Sequence, residues 1–279
     1  MDDGRVTLAA LQQMKQDGRK IVGVVAYDYQ MAQIVDRARV NIVSVGDSVG
    51  VHLWGHRSEL EVTLDQMVLV CQGVRRGVTH ALVSCDFPFG PLQKGPDAAV
   101  RAAIRLVKEG GADLVKLDGA SSFPEAVRAI TRAGIPVWAQ FGITPHTAFR
   151  YGGMTPAAPE LATAMKDQLV GEAKLLEEAG ASILDFTNSG PVAGPEVVRA
   201  VKIPVIGGLG GGPWLDGRVR AVFAAIGYLA AALDDTTARY ANVAEIALTA
   251  ITAFSDDVRA ARQIRGAAPG ANNRQDITR

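Results

Sequence analysis

Short runs of apolar and β-branched residues alternate with longer amphipathic stretches from one end of the chain to the other. The runs at 21–28, 42–47, 81–87, 114–118, 136–141, 182–186 and 204–207 are nearly continuous in apolar character, as expected of parallel strands covered on both faces. A weaker eighth candidate lies at 224–229. Helical patterns fill the intervals. Thr63-Leu-Asp-Gln66 reads as a capping box that opens a helix running to about Arg76. The segments 96–109 and 124–133 begin with proline near the first helical position and meet glycine soon after the last turn. A longer helix is expected over 158–179, ending at Gly180, and a terminal one over 242–261. Three times a helix breaks on glycine (Gly110-Gly111, Gly134 and Gly180) just before a strand, which is the αβ-loop chemistry of a parallel α/β protein.

Eight βα units in about 250 residues predict a (β/α)₈ TIM barrel. The competing open, doubly wound sheet calls for a glycine-rich turn after the first strand. Here that strand runs into Asp28-Tyr29-Gln30, which has no glycine. A single barrel domain over 1–265 is expected, followed by a Gly-, Ala-, Asn- and Arg-rich tail, 266–279, whose composition predicts disorder.

Composition narrows the function classes. A formal net charge of +0 with scattered Lys and Arg offers no basic stripe, so nucleic acid is not an expected partner. Cys71 and Cys85 are the only cysteines, too few for a disulfide framework or a zinc cluster, and both lie in apolar runs as buried thiols do. The polar N-terminus and the lack of any apolar stretch near ~20 residues predict a soluble, cytoplasmic chain with no membrane partner.

Candidate chemistry sits at the strand ends. Asp47, Asp86 and Asp118 each close an apolar run, where the carboxyl ends of barrel strands converge on one face. Three acids there would make an oxygen-rich pocket for a hard divalent cation such as Mg²⁺. The alternative for each is a plain helix N-cap. Lys116 lies two residues before Asp118, so both should face the barrel interior. A lysine inside an apolar strand needs an anion, either a substrate carboxylate or an interior acid. Ser48 offers a hydroxyl to that carboxylate, or caps the next helix.

The chain resembles the ketopantoate hydroxymethyltransferases. The matching pieces are Ala26-Tyr27-Asp28-Tyr29, Val45-Gly46-Asp47-Ser48, Val74-Arg75-Arg76-Gly77, Asp86-Phe87-Pro88-Phe89, Val115-Lys116-Leu117-Asp118-Gly119, Phe141-Gly142-Ile143-Thr144-Pro145, Gly152-Gly153 and Ile203-Pro204-Val205-Ile206-Gly207, in the family's order over roughly 5–265. The resemblance implies a barrel of the phosphoenolpyruvate/pyruvate-binding type and a homo-oligomer, a decamer. It implies Mg²⁺ chelated by an α-keto acid, and hydroxymethyl transfer from methylene-tetrahydrofolate to that acid's enolate. By it, Asp47 and Asp86 are metal ligands, Asp118 takes the place of a family Glu that reaches the metal through water, and Ser48 and Lys116 hold the substrate carboxylate.

Departures cluster at proton-transfer positions. The family's fifth-strand motif is His-x-Gly-x-Thr-Pro-Gln, whereas this chain reads Gln140-Phe-Gly-Ile-Thr-Pro-His146. Gln140 hydrogen-bonds but takes no proton near neutral pH. His146 is expected in a loop, with its approach to the active site left open. The family's sixth-strand Glu aligns with Thr187, a poor base, and Asp185, on the same face, is either its substitute or a buried, paired acid. The turn Gly207-Gly-Leu-Gly-Gly-Gly-Pro213-Trp214 and the segment Met154-Thr-Pro-Ala-Ala-Pro159 also depart from the family pattern. His52, His56 and His80 are expected at the surface or in packing. Asp185, Thr187 and Gln140 are thus the candidate catalytic residues. Three readings stand: a hydroxymethyltransferase-like enzyme, in a specialised pathway if its substrate is altered; a folate-independent C–C lyase, aldolase or mutase on an α-keto acid; and an inactive paralogue with an assembly or regulatory role.

Overall fold

The structure is a computed structural model that describes residues 4–148 and 158–266. The Gly152-Gly153 piece, the segment after it through 157, and the tail from 267 onward lie outside the described residues. Eight parallel strands close into a barrel in sequence order. They are β1 (Ile21–Val25), β2 (Ile42–Val45), β3 (Leu82–Asp86), β4 (Leu114–Leu117), β5 (Val137–Gly142), β6 (Ile183–Thr187), β7 (Val205–Gly207) and β8 (Gly217–Ala221). The helices are α1 (Leu8–Gln16), α2 (Tyr29–Arg37), α3 (Val49–Trp54), α4 (Leu64–Gly77), α5 (Pro96–Lys108), α6 (Pro124–Arg132), α7 (Ala158–Ala164), α8 (Lys166–Glu178), α9 (Ala193–Ala200), α10 (Val222–Ala225) and α11 (Val243–Arg259).

Local chemistry accounts for most element ends. The capping box opens α4 as read: Gln66 N–H donates to Thr63 Oγ1 and Thr63 N–H to Gln66 Oε1. Gly111, Gly134 and Gly180 all adopt positive φ (81°, 84° and 98°), the left-handed turn that a Cβ disfavours. Asn242 caps α11 through its side chain.

Two expectations are corrected. The eighth strand is β8 at Gly217–Ala221, and the candidate at 224–229 begins instead inside α10. In β8, exposed Arg218 and Arg220 alternate with buried Val219, so the strand lacks the continuous apolar run that marks the other seven. The expected single helix over 158–179 is two, because Met165 leaves helical geometry (φ −91°, ψ 8°) between α7 and α8.

The barrel interior is layered along its axis. At the amino ends, Ile21, Ile42, Leu82, Leu114, Trp138, Ile183, Ile206 and Val219 pack with Val6 and with Leu11 and Met14 of α1, which closes that end. Two residues further along, the same face carries Ser44, Ser84, Lys116, Gln140 and Asp185, and two further again Asp86, Asp118 and Thr187. Registers tie these rows together: Ser44 pairs with Ser84, Asp86 with Lys116, and Gln140 with Asp185. An apolar floor and a polar mouth therefore follow from one alternation.

The chain forms two compact units, Met1–Val222 and Phe223–Arg279. All eight strands lie in the first. The second contains a 3₁₀ turn at Ala230–Leu233 and α11. Among the described residues, no helix is long and apolar enough to cross a membrane.

Candidate active site

The carboxyl ends of β2, β3, β4 and β6 deliver four aspartates to the mouth. None of the three strand-end aspartates caps a helix. The cap position is Ser48 for α3, Gly95 for α5, and Gly119 for the 3₁₀ turn after β4. The carboxylates turn inward instead: Asp86 meets Lys116 of β4 and Ser44 of β2, and Asp47 and Asp118 meet His146 in the loop after β5.

Lys116 organises one side. Its Nζ sits 3.4 Å from Asp86 Oδ2 and 3.2 Å from Asp185 Oδ2, with the Trp138 ring centroid 5.4 Å away. Burial works against the ammonium charge, but Asp86 and Asp185 outweigh it and hold Lys116 above its ordinary range. One lysine cannot neutralise two buried acids. Burial pushes Asp86 up to about 7, against the pull of Lys116 and with the added repulsion of Asp47. Asp185 is raised by burial as well, again opposed by Lys116. Ser44 Oγ donates to Asp86 Oδ1 at 3.1 Å. Asp185 is buried and paired with Lys116 through Oδ2, while its Oδ1 has no hydrogen-bond partner.

His146 organises the other side. From the loop after β5 its Nε2 comes to 3.0 Å from Asp47 Oδ2, and its Nδ1 lies 3.9 Å from Asp118 Oδ2. The same Asp118 oxygen accepts the His146 backbone N–H at 3.2 Å. Phe89 meets the imidazole edge-on, with centroids 5.7 Å apart. Burial lowers the imidazole's affinity for a proton, but Asp47 and Asp118 more than offset it, and the net shift is upward. Asp118 is raised by burial despite His146, and its Oδ1 is buried without a partner.

Two neutral pairs complete the wall. Ser48 leaves its helix uncapped and shares a 2.7 Å hydrogen bond with the buried Tyr27 hydroxyl. Burial raises the Tyr27 phenol, which stays protonated. Gln140 Nε2 donates to Thr187 Oγ1 at 2.9 Å. Gly142 makes that approach feasible: with φ 91°, a Cβ there would lie 2.6 Å from Thr187 O.

The structure therefore brings together Asp47, Asp86, Asp118, Lys116 and Asp185 through ion pairs and mutual repulsion, with Ser48, Gln140 and Thr187 in the same wall. Among the described residues, no group of three or more acid, imidazole or thiol side chains is placed to hold a metal ion. Three participants carried no role in the sequence reading. Ser44 and Ser84 were recoverable from strand parity, each two residues beyond a floor residue, Ile42 and Leu82; Tyr27 was visible only as part of a matching piece. His146, left open by its sequence position, lies in the site. His56 and His80 are outside it: His56 packs against Trp54, and His80 contacts the Gly4 carbonyl.

A family model described as ketopantoate hydroxymethyltransferase matches residues 5–263. A 3-methyl-2-oxobutanoate hydroxymethyltransferase of Christiangramia forsetii is 38% identical over 255 residues, covering 91% of this chain and 93% of the relative. One from Salinibacter ruber is 39% identical over 255 residues, covering 91% and 95%. Among solved structures, 2,3-dimethylmalate lyase, a PEP mutase/isocitrate lyase superfamily member, superposes with a TM-score of 0.59 at 14% identity, covering 96% of this chain and 90% of that one. Phosphonopyruvate hydrolase with oxalate and Mg²⁺ gives 0.58 at 12%, covering 95% and 92%. At such identities these structures establish a shared barrel fold.

Proposed function

The chain belongs to the ketopantoate hydroxymethyltransferase family, and from that premise we propose that it transfers a hydroxymethyl group to an α-keto acid held on a divalent cation at the barrel mouth. Methylene-tetrahydrofolate is the proposed donor. One observation carries the reading: Asp47, Asp86, Asp118 and Asp185 share a buried mouth with one lysine and one imidazole. Negative charge exceeds what those two groups neutralise, and uncompensated buried charge is costly. The unpartnered Asp118 Oδ1 adds to the case that a cation fits this donor set. Mg²⁺ suits it, since that ion takes one or two protein carboxylates and fills the rest of its shell with water and substrate oxygens. Asp47 and Asp86 would hold it, with Asp118 behind them. When bound, the ion polarises the keto group as a Lewis acid.

The chain's own groups do the remaining work in this reading. Lys116, kept charged, exchanges an aspartate contact for the substrate carboxylate, and Ser48, oriented by Tyr27, donates to the same group. Gln140 and Thr187 position the substrate's carbon chain. Asp185, made more basic by burial and with Oδ1 unpartnered, is assigned the proton leaving the carbon beside the keto group. The donor's methylene carbon then forms a C–C bond to that carbon and a C–O bond to water as both of its C–N bonds break, and the two donor nitrogens take up the proton from the substrate carbon and one from water. By the same family resemblance, the chain acts as a cytoplasmic homo-oligomer, a decamer.

Calorimetric titration with Mg²⁺ and 2-ketoisovalerate tests the site: Asp47→Ala and Asp86→Ala should each abolish joint binding. Keto-acid affinity retained in both variants defeats the cation assignment. A second reading, C–C cleavage without folate, is favoured by the neutral Gln140–Thr187 pair, which offers no imidazole or carboxylate at that rim. Incubation with 2-ketoisovalerate and methylene-tetrahydrofolate separates the two. Ketopantoate formation supports transfer, whereas retro-aldol activity without it supports cleavage.

A further inference from the structure

We infer that α11 docks on the outer face of β1 and β8 of a second copy of this chain, reciprocally about a two-fold axis. This rests on the homo-oligomer reading above and names the two surfaces that meet in it.

The strands from β2 to β7 turn buried residues outward. Val43, Val83, Val115, Ala139, Leu184 and Val205, one on each, are all 0% exposed. On β1 the outward Val22 is 48% exposed. Its neighbour on β8 is exposed Arg218, and Val24 stands beside exposed Arg220 one step along. Chain order explains the gap. A strand of this fold is normally followed by a helix that shields it. Here β7 runs into β8 without one, and β8 is followed directly by the four-residue α10, too short to cover a strand pair.

α11 is the complementary surface. Ile246, Ala247, Ala250, Ile251, Phe254 and Val258 recur at helical spacing and form one apolar stripe. Ile246 is 65% exposed and Ile251 63%, and Phe254 and Val258 are half-exposed. Of the seventeen residues in this helix, Ala244 alone is buried. A contiguous apolar patch of this kind marks an interaction surface. The chain thus carries one strand pair without its helix and one helix without its sheet, and a second copy satisfies both. Arg218 does not oppose docking, because its guanidinium donates to the Gly207 and Gly208 carbonyls and its methylene stem can lie under the helix. Arg220 offers a base to Asp257, the acid that borders the stripe.

Size calls for reciprocity. A helix of this length is about 25 Å long and about 10 Å wide, so one contact covers about 250 Å² on each partner. Two contacts related by a two-fold axis bury about 1,000 Å² in all, where specific interfaces begin. The connection from β8 to α11, residues 222–242, exceeds the usual ~4–6 residues and gives the helix reach.

Thiol cross-linking and sedimentation of the full chain test this. Val22→Cys and Ile251→Cys, carried on separate chains with different tags, are co-expressed and treated with a short bismaleimide. A covalent product bearing both tags is expected, and wild type should give none because Cys71 and Cys85 are buried. With both substitutions on one chain, a cross-link confined within single chains overturns the exchange. No cross-link in a protein that sediments as an oligomer overturns the named surfaces and leaves the homo-oligomer reading standing. A wild type that sediments as a monomer overturns both. Phe254→Ala should weaken self-association by about thirtyfold or more, as for loss of one aromatic anchor, and unchanged association counts against the docking.

Discussion

At the amino ends of the strands, Asp36, Asp113 and Asp216 are surrounded by donors; at the carboxyl ends, Asp86, Asp118 and Asp185 are not. Asp36 accepts from the backbone N–H groups of Thr79, His80 and Ala81 and from the Thr79 hydroxyl. Asp113 takes Arg5, Arg75 and the Val83 N–H, and Asp216 takes Lys15 and the Val205 N–H. Burial alone would raise Asp36, but its hydrogen bonds together hold it below the ordinary carboxylate range. The opposite end gathers acids around one lysine and one imidazole, and burial raises all three. The first set fastens loops to strand starts. The second is poorly satisfied by the protein itself, which is the condition of a site built to receive something.

The largest expected effect is at the amino end. Asp36→Ala leaves three backbone N–H groups without their acceptor and should cost roughly 3 kcal/mol in denaturant unfolding, at about 1 kcal/mol for each. Because the folded value of Asp36 is depressed, its contribution is complete above about pH 4 and disappears as pH falls through that lower value. A wild-type-like midpoint for the variant would erase the contrast between the two ends.

Asp86→Asn should go the other way. Asp86 is raised to about 7, so between about pH 4 and 7 the folded state holds the extra proton and stability falls as pH rises. The neutral amide should therefore stabilise the ion-free protein at pH 8 by about 2 kcal/mol. A displacement from about 4 to about 7 carries up to about 4 kcal/mol, part of which is offset by the attraction to Lys116 that the amide no longer makes. Thermal unfolding from pH 4 to 8 should show a flatter profile in the variant, and destabilisation at pH 8 would count against the comparison.

Smaller effects sharpen it. Asp216→Ala removes a partly buried ion pair and the acceptor for Val205 N–H, for an expected loss of about 1.5 kcal/mol with keto-acid binding unchanged. Thr187→Val should cost under about 1 kcal/mol, since it breaks one neutral hydrogen bond to Gln140, yet weaken keto-acid binding measured by calorimetry. Equal damage to binding from both substitutions would mean that the two ends do not divide the labour as described.

Much of this architecture is legible in the residues alone. Seven strands follow from continuous apolar runs, because covering both faces of a strand removes the need for polar alternation. The glycine breaks at Gly111, Gly134 and Gly180 follow from the left-handed backbone each must adopt. Strand parity alone places Lys116 and Asp118 on one face. The eighth strand was missed because Arg218 and Arg220 interrupt its apolar pattern, and the break at Met165 has no local signal such as glycine or proline.

The amino-acid sequence by itself determined the barrel, the row of acids at its mouth and the lysine among them, since each depends on a period of two along one strand. Tertiary structure alone decided which acid meets which cation. Asp47 and His146 are 99 positions apart, and Lys116 reaches Asp185 from two strands away. Those meetings are set by the closure of the barrel and the path of the loop after β5, neither of which leaves a periodic trace in the chain.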